Sequence, residues 1–229
     1  MFDSTHSRTD ELRTLPDASL LAVSGIGSDA AERAAHALID AGATALVSWG
    51  MAGGLDPTLR AGTVFLPSEV LCSDGRQLST ARAWRERLGV ALAPQRPIVS
   101  GKLFTCAHMI ASVADKAQAF FSTGALAVDM ESAAIAAIAG RHELPFIAVR
   151  VIIDTADDAL PRAIVAATRS GRLRIWRLIA CLARAPGQLP ALLRIALRYR
   201  VATLSLVAVA RAGSLAEFAF PTPNDAGAA

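Results

Sequence analysis

Glu131 sits inside AVDMESAAIA at 127–136, a run of small apolar residues that reads as the start of a buried helix. Carboxylates are rarely buried without a partner. Glu131 therefore caps something or holds a ligand, and a helix N-terminus favours an acid in either case. A second acid, Asp154, ends PFIAVRVIID at 145–154, a near-continuous apolar run rich in β-branched residues. Open α/β sheets place their sites at the carboxyl ends of such strands. Arg150 lies four residues earlier and on the same side of that strand. It can serve a ligand or close a salt bridge within the protein. In SGIGSDA at 24–30, Gly25, Gly27 and Ala30 match G-x-G-x-x-A between a strand and a helix. The helix start would attract an anion. The acid that a dinucleotide site needs at the end of the next strand is absent, so the glycines fit a tight turn close to a small ligand. WGMAGGLDPTLRAG at 49–62 reads as a glycine-rich turn whose amides can lie against a flat base or an oxyanion.

These residues need a layered frame, and the pattern supplies one. LLAV at 20–23 reads as a strand, with a helix from about 29 to 41. TALVSW at 44–49 is the next strand, and GTVFLPSEVL at 62–71 a third, interrupted by Pro67. A short helix follows around 83–88, a strand at 97–105, a helix at roughly 112–121, a strand at 125–130 and a helix at 131–140. The run at 145–154 suits a central strand buried on both faces. Strands alternating with helices predict an α/β fold.

With 229 residues and 53% hydrophobic content, the chain is large enough for one domain with an appendage. No window has the apolar length of a membrane span; the longest candidate, VATLSLVAVA at 201–210, is too short. The polar opening MFDSTHSRTD is not a signal peptide. Cys72, Cys106 and Cys181 suit neither a zinc site nor a disulfide framework, and His6, His36, His108 and His142 show no metal spacing. The expectation is a cytoplasmic protein with no cofactor and no metal. Charge is uneven: residues 159–216 hold ten arginines and no acid. The apolar set Ile175, Leu178, Ile179 and Leu182 falls at helical spacing against Arg174, Arg177 and Arg184. Beyond Pro186 and Pro190, LLRIALRYR starts a second basic helix. Such helices suit the surface of an anionic membrane, or pack on their own domain by the apolar side.

Together SGIG with its alanine-rich helix, GMAGGLDPTLRAGTVFLPSEV, AVDMESAAIA and VRVIIDTADDA, in this order over about residues 20–160, resemble the nucleoside phosphorylase and nucleosidase family. That group contains methylthioadenosine nucleosidase and the bacterial purine and uridine phosphorylases. SWGMAGGLDP with VDMES, RVIID and the arginine-rich tail looks most like its hopanoid-associated phosphorylases, which are linked to cleaving adenine from adenosylhopane. The resemblance implies a three-layer α/β/α fold with a central mixed sheet. It implies that Glu131 accepts the ribose hydroxyls with Met130 beneath the sugar, and that Asp154 protonates purine N7. Asp157 and Asp158 would then be a solvated pair. It sets Arg150 near the attacking water or phosphate, and Met109 and Ile110 against the base. Ala52 and Gly53 are further candidate substrate contacts, and Gly25, Gly27 and Gly50 form the candidate nucleophile or phosphate loop.

Two features depart from the family pattern. Family members open with a strand carrying a glycine and then a glutamate that helps activate the nucleophile. The segment MFDSTHSRTDELRTLPD has no such strand, and Glu11 stands in the wrong context. The expectation is an incomplete sheet edge and impaired catalysis. Where bacterial purine phosphorylases place a serine and an arginine around the first glycine of the turn, this chain has Ser48 and Met51. That loss weakens the case for phosphate and makes water its competitor, while the remaining amides and Arg150 could still hold phosphate, so phosphorolysis and hydrolysis both stay open.

The expected organisation is a polar lead-in at 1–18, the α/β domain at 19–170, a basic helical tail at 171–215 and a disordered C-terminus at 216–229. The expected reaction is release of adenine from a nucleoside with an apolar or lipid 5′ substituent. The tail would meet the inner membrane face, the chain would self-associate, and nucleic acid is not a partner. Two alternatives are a non-catalytic, membrane-associated nucleoside-binding protein and a nicotinamide-dependent oxidoreductase resting on G-x-G-x-x-A alone.

Overall fold

The computed structural model describes residues 12–15, 18–94, 97–161, 164–165, 187 and 189–212. Two short strands, β1 (Leu12–Thr14) and β2 (Leu20–Ala22), pair antiparallel as a separate hairpin. Residues 12–14, read from sequence as polar lead-in, are therefore part of a strand pair. Eight strands form the main sheet: β3 (Leu46–Gly54), β4 (Val64–Phe65), β5 (Glu69–Cys72), β6 (Gln77–Ser79), β7 (Ile98–Val99), β8 (Lys102–Thr105), β9 (Ala127–Asp129) and β10 (Phe146–Asp154). Their order is β6-β5-β8-β9-β3-β10-β4-β7. The helices are α1 (Ser28–Asp40), α2 (Arg82–Leu92), α3 (Val113–Thr123), α4 (Ser132–Arg141) and α5 (Leu189–Ala212).

The sheet is mixed, because β3 lies parallel to β10 and antiparallel to β9. Strand β10 is buried along its length except for the half-buried Ile153. Its alternate residues feed two cores, as period-2 geometry requires. Phe146, Ala148 and Ile152 join Leu46, Ala136 and Ile138 on the side of α1 and α4. Ile147, Val149 and Val151 join Trp84, Leu88, Ala202 and Val209 of α2 and α5 on the other. The result is a three-layer α/β/α stack around a mixed sheet, the expected fold class.

Three boundaries moved for physical reasons. Pro67 does interrupt the third strand, which becomes β4 and β5. The run at 97–105 divides at Ser100–Gly101 into β7 and β8. The glycines of GMAGG are strand rather than turn, since β3 runs on to Gly54. Glycine usually weakens a strand unless another group must come close. Here a Cβ on Gly50 would stand 3.5 Å from Arg150 Nη1, and one on Gly53 3.4 Å from both carboxylate oxygens of Asp154. These are ordinary contact distances, so the two charged side chains of the neighbouring strand lie close against the β3 backbone.

Beyond β10, α5 packs back on the sheet with Ala202, Leu206 and Val209 inward. Its outer side exposes Leu193, Leu197, Val201 and Leu204. No helix among the described residues is long and apolar enough to cross a membrane. The expected first basic helix and the C-terminus at 216–229 lie outside the described residues.

Strand β3 is paired with β10 from its first residue, yet with β9 only at Gly53 and Gly54. Upstream, on the side facing β2, the described residues leave a cleft of about 640 Å³ beside β3.

Candidate active site

Two clusters of charge stand at the carboxyl-terminal half of β3 and β10. Arg150 points to the α1/α4 side, but a bulge between Ile152 and Asp154 breaks the alternation, and the Asp154 carboxylate stands with Gly53 and Val128 toward α3 instead. Register fixes their neighbours: Arg150 lies beside Gly50, Asp154 beside Gly53, and Gly53 beside Val128 of β9. Because β9 runs against β3, the segment Asp129–Glu131 turns back toward Gly50. Glu131 and Asp154 are therefore offset by about three strand residues, on the order of 10 Å.

The first cluster is closed on itself. Arg150 Nε donates to Asp129 Oδ2 at 2.9 Å. Its Nη1 donates to the carbonyls of Ser48 (2.9 Å) and Val149 (3.1 Å). Its Nη2 donates to Ser48 Oγ (2.6 Å) and Ser132 Oγ (2.8 Å). A guanidinium has five N–H donors, and all five are used. Asp129 also accepts from Thr105 Oγ1 at 2.6 Å and from the Ser132 amide at 3.1 Å. The arginine, held against the attacking water or phosphate by resemblance, is in this structure fully engaged by the protein.

Glu131 occupies the N-cap position of α4 but makes no side-chain cap there. Asp129 takes the amide of Ser132 instead. The Glu131 carboxylate reaches across to the turn before α1, where the Gly27 amide donates to it at 2.8 Å; the Met130 amide adds a longer bond of 3.3 Å. Gly27 has φ +98°, a conformation L side chains rarely adopt. That backbone twist aims its amide at the glutamate. The anion at this helix start is thus one of the protein's own. Burial, then the Asp129 charge, raises the Glu131 pKa above the usual carboxylate value; the Gly27 amide opposes the rise. Ser28 Oγ donates to the Met130 carbonyl at 3.3 Å, which ties the same turn to the residue before Glu131. Gly25, Gly50, Glu131 and Arg150 all line the cleft beside β3, whose other walls are apolar, among them Leu38, Leu46 and Ile135.

The second cluster surrounds Asp154. Its carboxylate pairs with the ammonium of Lys116 on α3. Lys116 is fully buried and also donates to the carbonyls of Thr155 (2.8 Å) and Asp158 (3.0 Å). Burial raises the Asp154 pKa, and the Lys116 charge, its hydrogen bond and Arg198 pull it back. Asp157 is exposed, as expected. Asp158 is not a solvated partner: it accepts from the Thr155 amide and hydroxyl at 2.9 and 2.6 Å and pairs with Arg198 of α5. Ile110 packs with Leu55, Ala119 and Val128, and Leu160 donates to the Ala111 carbonyl at 2.8 Å. The stretch holding Met109 and Ile110 is therefore tied to the loop after Asp154. Ala52 and Gly53 lie beside Ile152 and Asp154.

So the structure gathers Glu131, Gly25, Gly50 and Arg150 at one cleft, with Gly27 bonded to Glu131 beside it. It gathers Asp154, Gly53 and the Met109–Ile110 stretch along the same strands but outside that cleft's lining. Sequence reading passed over Asp129, Ser48 and Ser132 as partners of Arg150, and Lys116 as partner of Asp154. Two of these carried a signal. Asp129 ends a strand flanked by Ala127 and Val128, where an acid needs a partner as much as Glu131 does. Lys116 falls three residues before Ala119 on the inward face of its helix.

Residues 18–180 match the model of the Phosphorylase superfamily. Among solved structures, a putative methylthioadenosine nucleosidase from Weissella paramesenteroides is 25% identical, with a TM-score of 0.57 over 60% of this chain and 67% of that one. The 5′-methylthioadenosine/S-adenosylhomocysteine nucleosidase from Neisseria meningitidis, in complex with methylthio-immucillin-A, is 26% identical, with a TM-score of 0.57 over 61% and 69%. Futalosine hydrolase of Helicobacter pylori shares the fold at 19% identity, with a TM-score of 0.57 over 61% and 67%.

Proposed function

We propose a reaction from the premise that this chain belongs to the Phosphorylase superfamily and is an enzyme of the nucleoside phosphorylase or nucleosidase class: it cleaves the N-glycosidic bond of an adenine nucleoside. The observation that carries the reading is the pair of acids, Glu131 and Asp154, on one end of the same strands with different partners. Glu131 accepts from backbone amides, and a carboxylate so held accepts ribose hydroxyls as further charge-assisted bonds. Breaking the C1′–N9 bond leaves positive charge on the sugar, which a nearby anion stabilises. Asp154 supplies the proton to N7, which turns adenine into a neutral leaving group.

Water is the favoured nucleophile. Ser48 and Met51 stand where the phosphorylase pattern has a serine and an arginine. Arg150 spends every donor on Ser48, Asp129, Val149 and Ser132. The 5′ substituent is apolar, of the adenosylhopane type, on the strength of the SWGMAGGLDP and VDMES motifs. Helix α5, with Arg194 and Arg200 beside exposed Leu193, Leu197 and Leu204, supports delivery from an anionic lipid surface.

The test is adenine release from 5′-methylthioadenosine and from a lipid-tailed adenosine in anionic vesicles, each with and without phosphate. Free ribose product, a gain with the lipid-tailed substrate and an inactive Asp154→Asn are expected. No adenine under any condition, or an Asp154→Asn protein as fast as wild type, refutes the reaction. Sugar 1-phosphate as product refutes the choice of water. A second reading, nucleoside binding without turnover, is favoured by the cleft beside Glu131, where β3 has no second strand partner upstream of Gly53 among the described residues. Calorimetric binding of 5′-methylthioadenosine with no adenine released would establish it.

A further inference from the structure

Helix α3 brings one charged residue to the site that the reaction above leaves without a role. Lys116 has no exposed surface and lies on the inward face of α3 with Ala119. Its three ammonium protons go to Asp154 Oδ2 and to the carbonyls of Thr155 and Asp158. Among the described residues no other side chain donates to the Asp154 carboxylate. Burying an ammonium is expensive, and a buried ion pair can often be replaced by hydrocarbon without loss of stability. Stability alone therefore gives little reason for a lysine here, and its position against the reactive carboxylate gives another.

We propose that Lys116 is a positioning residue of the glycosidic cleavage: it fixes Asp154 through Oδ2, presents Oδ1 to the purine, and stabilises the negative charge that forms when the proton leaves. The inference rests on the reading of Asp154 as the acid. In the step, the O–H bond of Asp154 breaks and an N–H bond forms at N7. The C1′–N9 electron pair stays with adenine, which departs neutral. Water adds to C1′ and loses a proton to solvent, and Asp154 is reprotonated from solvent. The carboxylate is thus neutral before the step and anionic after it. A fixed cation beside it is felt more strongly in the transition state than in the ground state. The charged groups around Asp154 are few: Lys116 from α3, Arg198 from α5, and Asp158 from the loop, which Arg198 pairs. Strand β3 offers only Gly53.

The assay is the pH profile of kcat/KM for adenine release from 5′-methylthioadenosine by the full chain. Activity requires protonated Asp154, so its titration forms the alkaline limb. Lys116→Met removes the charge at similar volume. It is expected to move that limb up by about one pH unit or more and to lower the plateau by about 10²-fold. Lys116→Arg keeps the charge and is expected to leave the limb near its wild-type position. A Lys116→Met enzyme that is slower with its limb unmoved reduces Lys116 to packing and overturns the proposal. Where Lys116→Met does not fold, Lys116→Ala with added ethylammonium carries the test. Recovery of rate without a matching rise in Tm supports the role; no recovery, or recovery of both together, overturns it. Failure of the parent reading is distinct: it appears as wild-type protein without turnover, or as an active Asp154→Asn.

Discussion

Asp129→Asn is a change of one atom at the centre of the Arg150 cluster. In the native protein Asp129 Oδ2 takes donors from Arg150 Nε and the Ser132 amide, while Oδ1 takes Thr105 Oγ1. Both partners of the ion pair are buried, with side chains 2% and 0% exposed. An asparagine that keeps its oxygen for Thr105 turns its amide nitrogen toward two donors. The opposite flip breaks the Thr105 bond, through which the Ala133 amide is also held. Either way the guanidinium loses its only carboxylate. Removing one partner of a buried ion pair costs about 3–5 kcal/mol. For a chain of this size each kcal/mol lowers Tm by about 2–4 °C, so a fall of about 6–20 °C is expected. Guanidinium chloride unfolding at pH 7, followed by tryptophan fluorescence, measures the free energy directly. Arg150→Met and the double substitution complete a cycle, and the double should cost less than the two singles summed. A single Asp129→Asn loss below about 1 kcal/mol, the value of an exposed pair, would refute the closed cluster. It would also return Arg150 to the list of groups free to hold phosphate.

The other predictions concern Glu131 and the turn beneath α5. The Glu131 pKa is raised, first by burial, so the fold prefers its protonated form. The corresponding stability is fully present below the unfolded-state pKa and is lost as pH rises through the folded-state value. Glutamine keeps an acceptor for the Gly27 amide without the charge, so Glu131→Gln should gain on wild type as pH rises from about 4 to about 8 in urea titrations. A constant or shrinking difference would contradict the assignment. Gly62 holds φ +89°, and an added Cβ would meet Val201 Cγ1 of α5 at 2.9 Å. Gly62→Ala should therefore cost about 1–3 kcal/mol, read as a lower Tm. An unchanged Tm would mean that α5 does not press on this turn.

The sequence reveals elements whose side chains alternate or repeat cleanly. PFIAVRVIID could only be an inner strand, and it became β10 with one half-buried residue. It was less informative where glycines fall within a strand. In GMAGG the residues looked like a turn because glycine usually marks one. They are strand because β3 continues in pairing with β10, with Arg150 and Asp154 lying close against its backbone. Glu131 and Asp154 were legible as isolated acids against apolar neighbours. Their partners were not, because Gly27 is 104 residues from Glu131 and Lys116 is 38 from Asp154. Pairings across such separations depend on strand order, which local periodicity does not encode.

The two buried cations separate the roles of the site. Both Arg150 and Lys116 face buried carboxylates, and both have every donor engaged. Their carboxylates differ. Asp129 shares its oxygens among Arg150, Thr105 and the start of α4, which ties β8, β10 and α4 to β9. Asp154 has one cationic side-chain donor and a pKa moved upward by burial against that cation. An acid balanced between desolvation, which favours its neutral form, and a fixed ammonium, which favours its charged form, can change state at small cost. Glu131 has backbone amides in place of a cation. In the proposed reaction Asp154, set against a fixed ammonium, gives up the proton and takes it back, Glu131 accepts the ribose hydroxyls, and Asp129 holds Arg150 and the start of α4 in place.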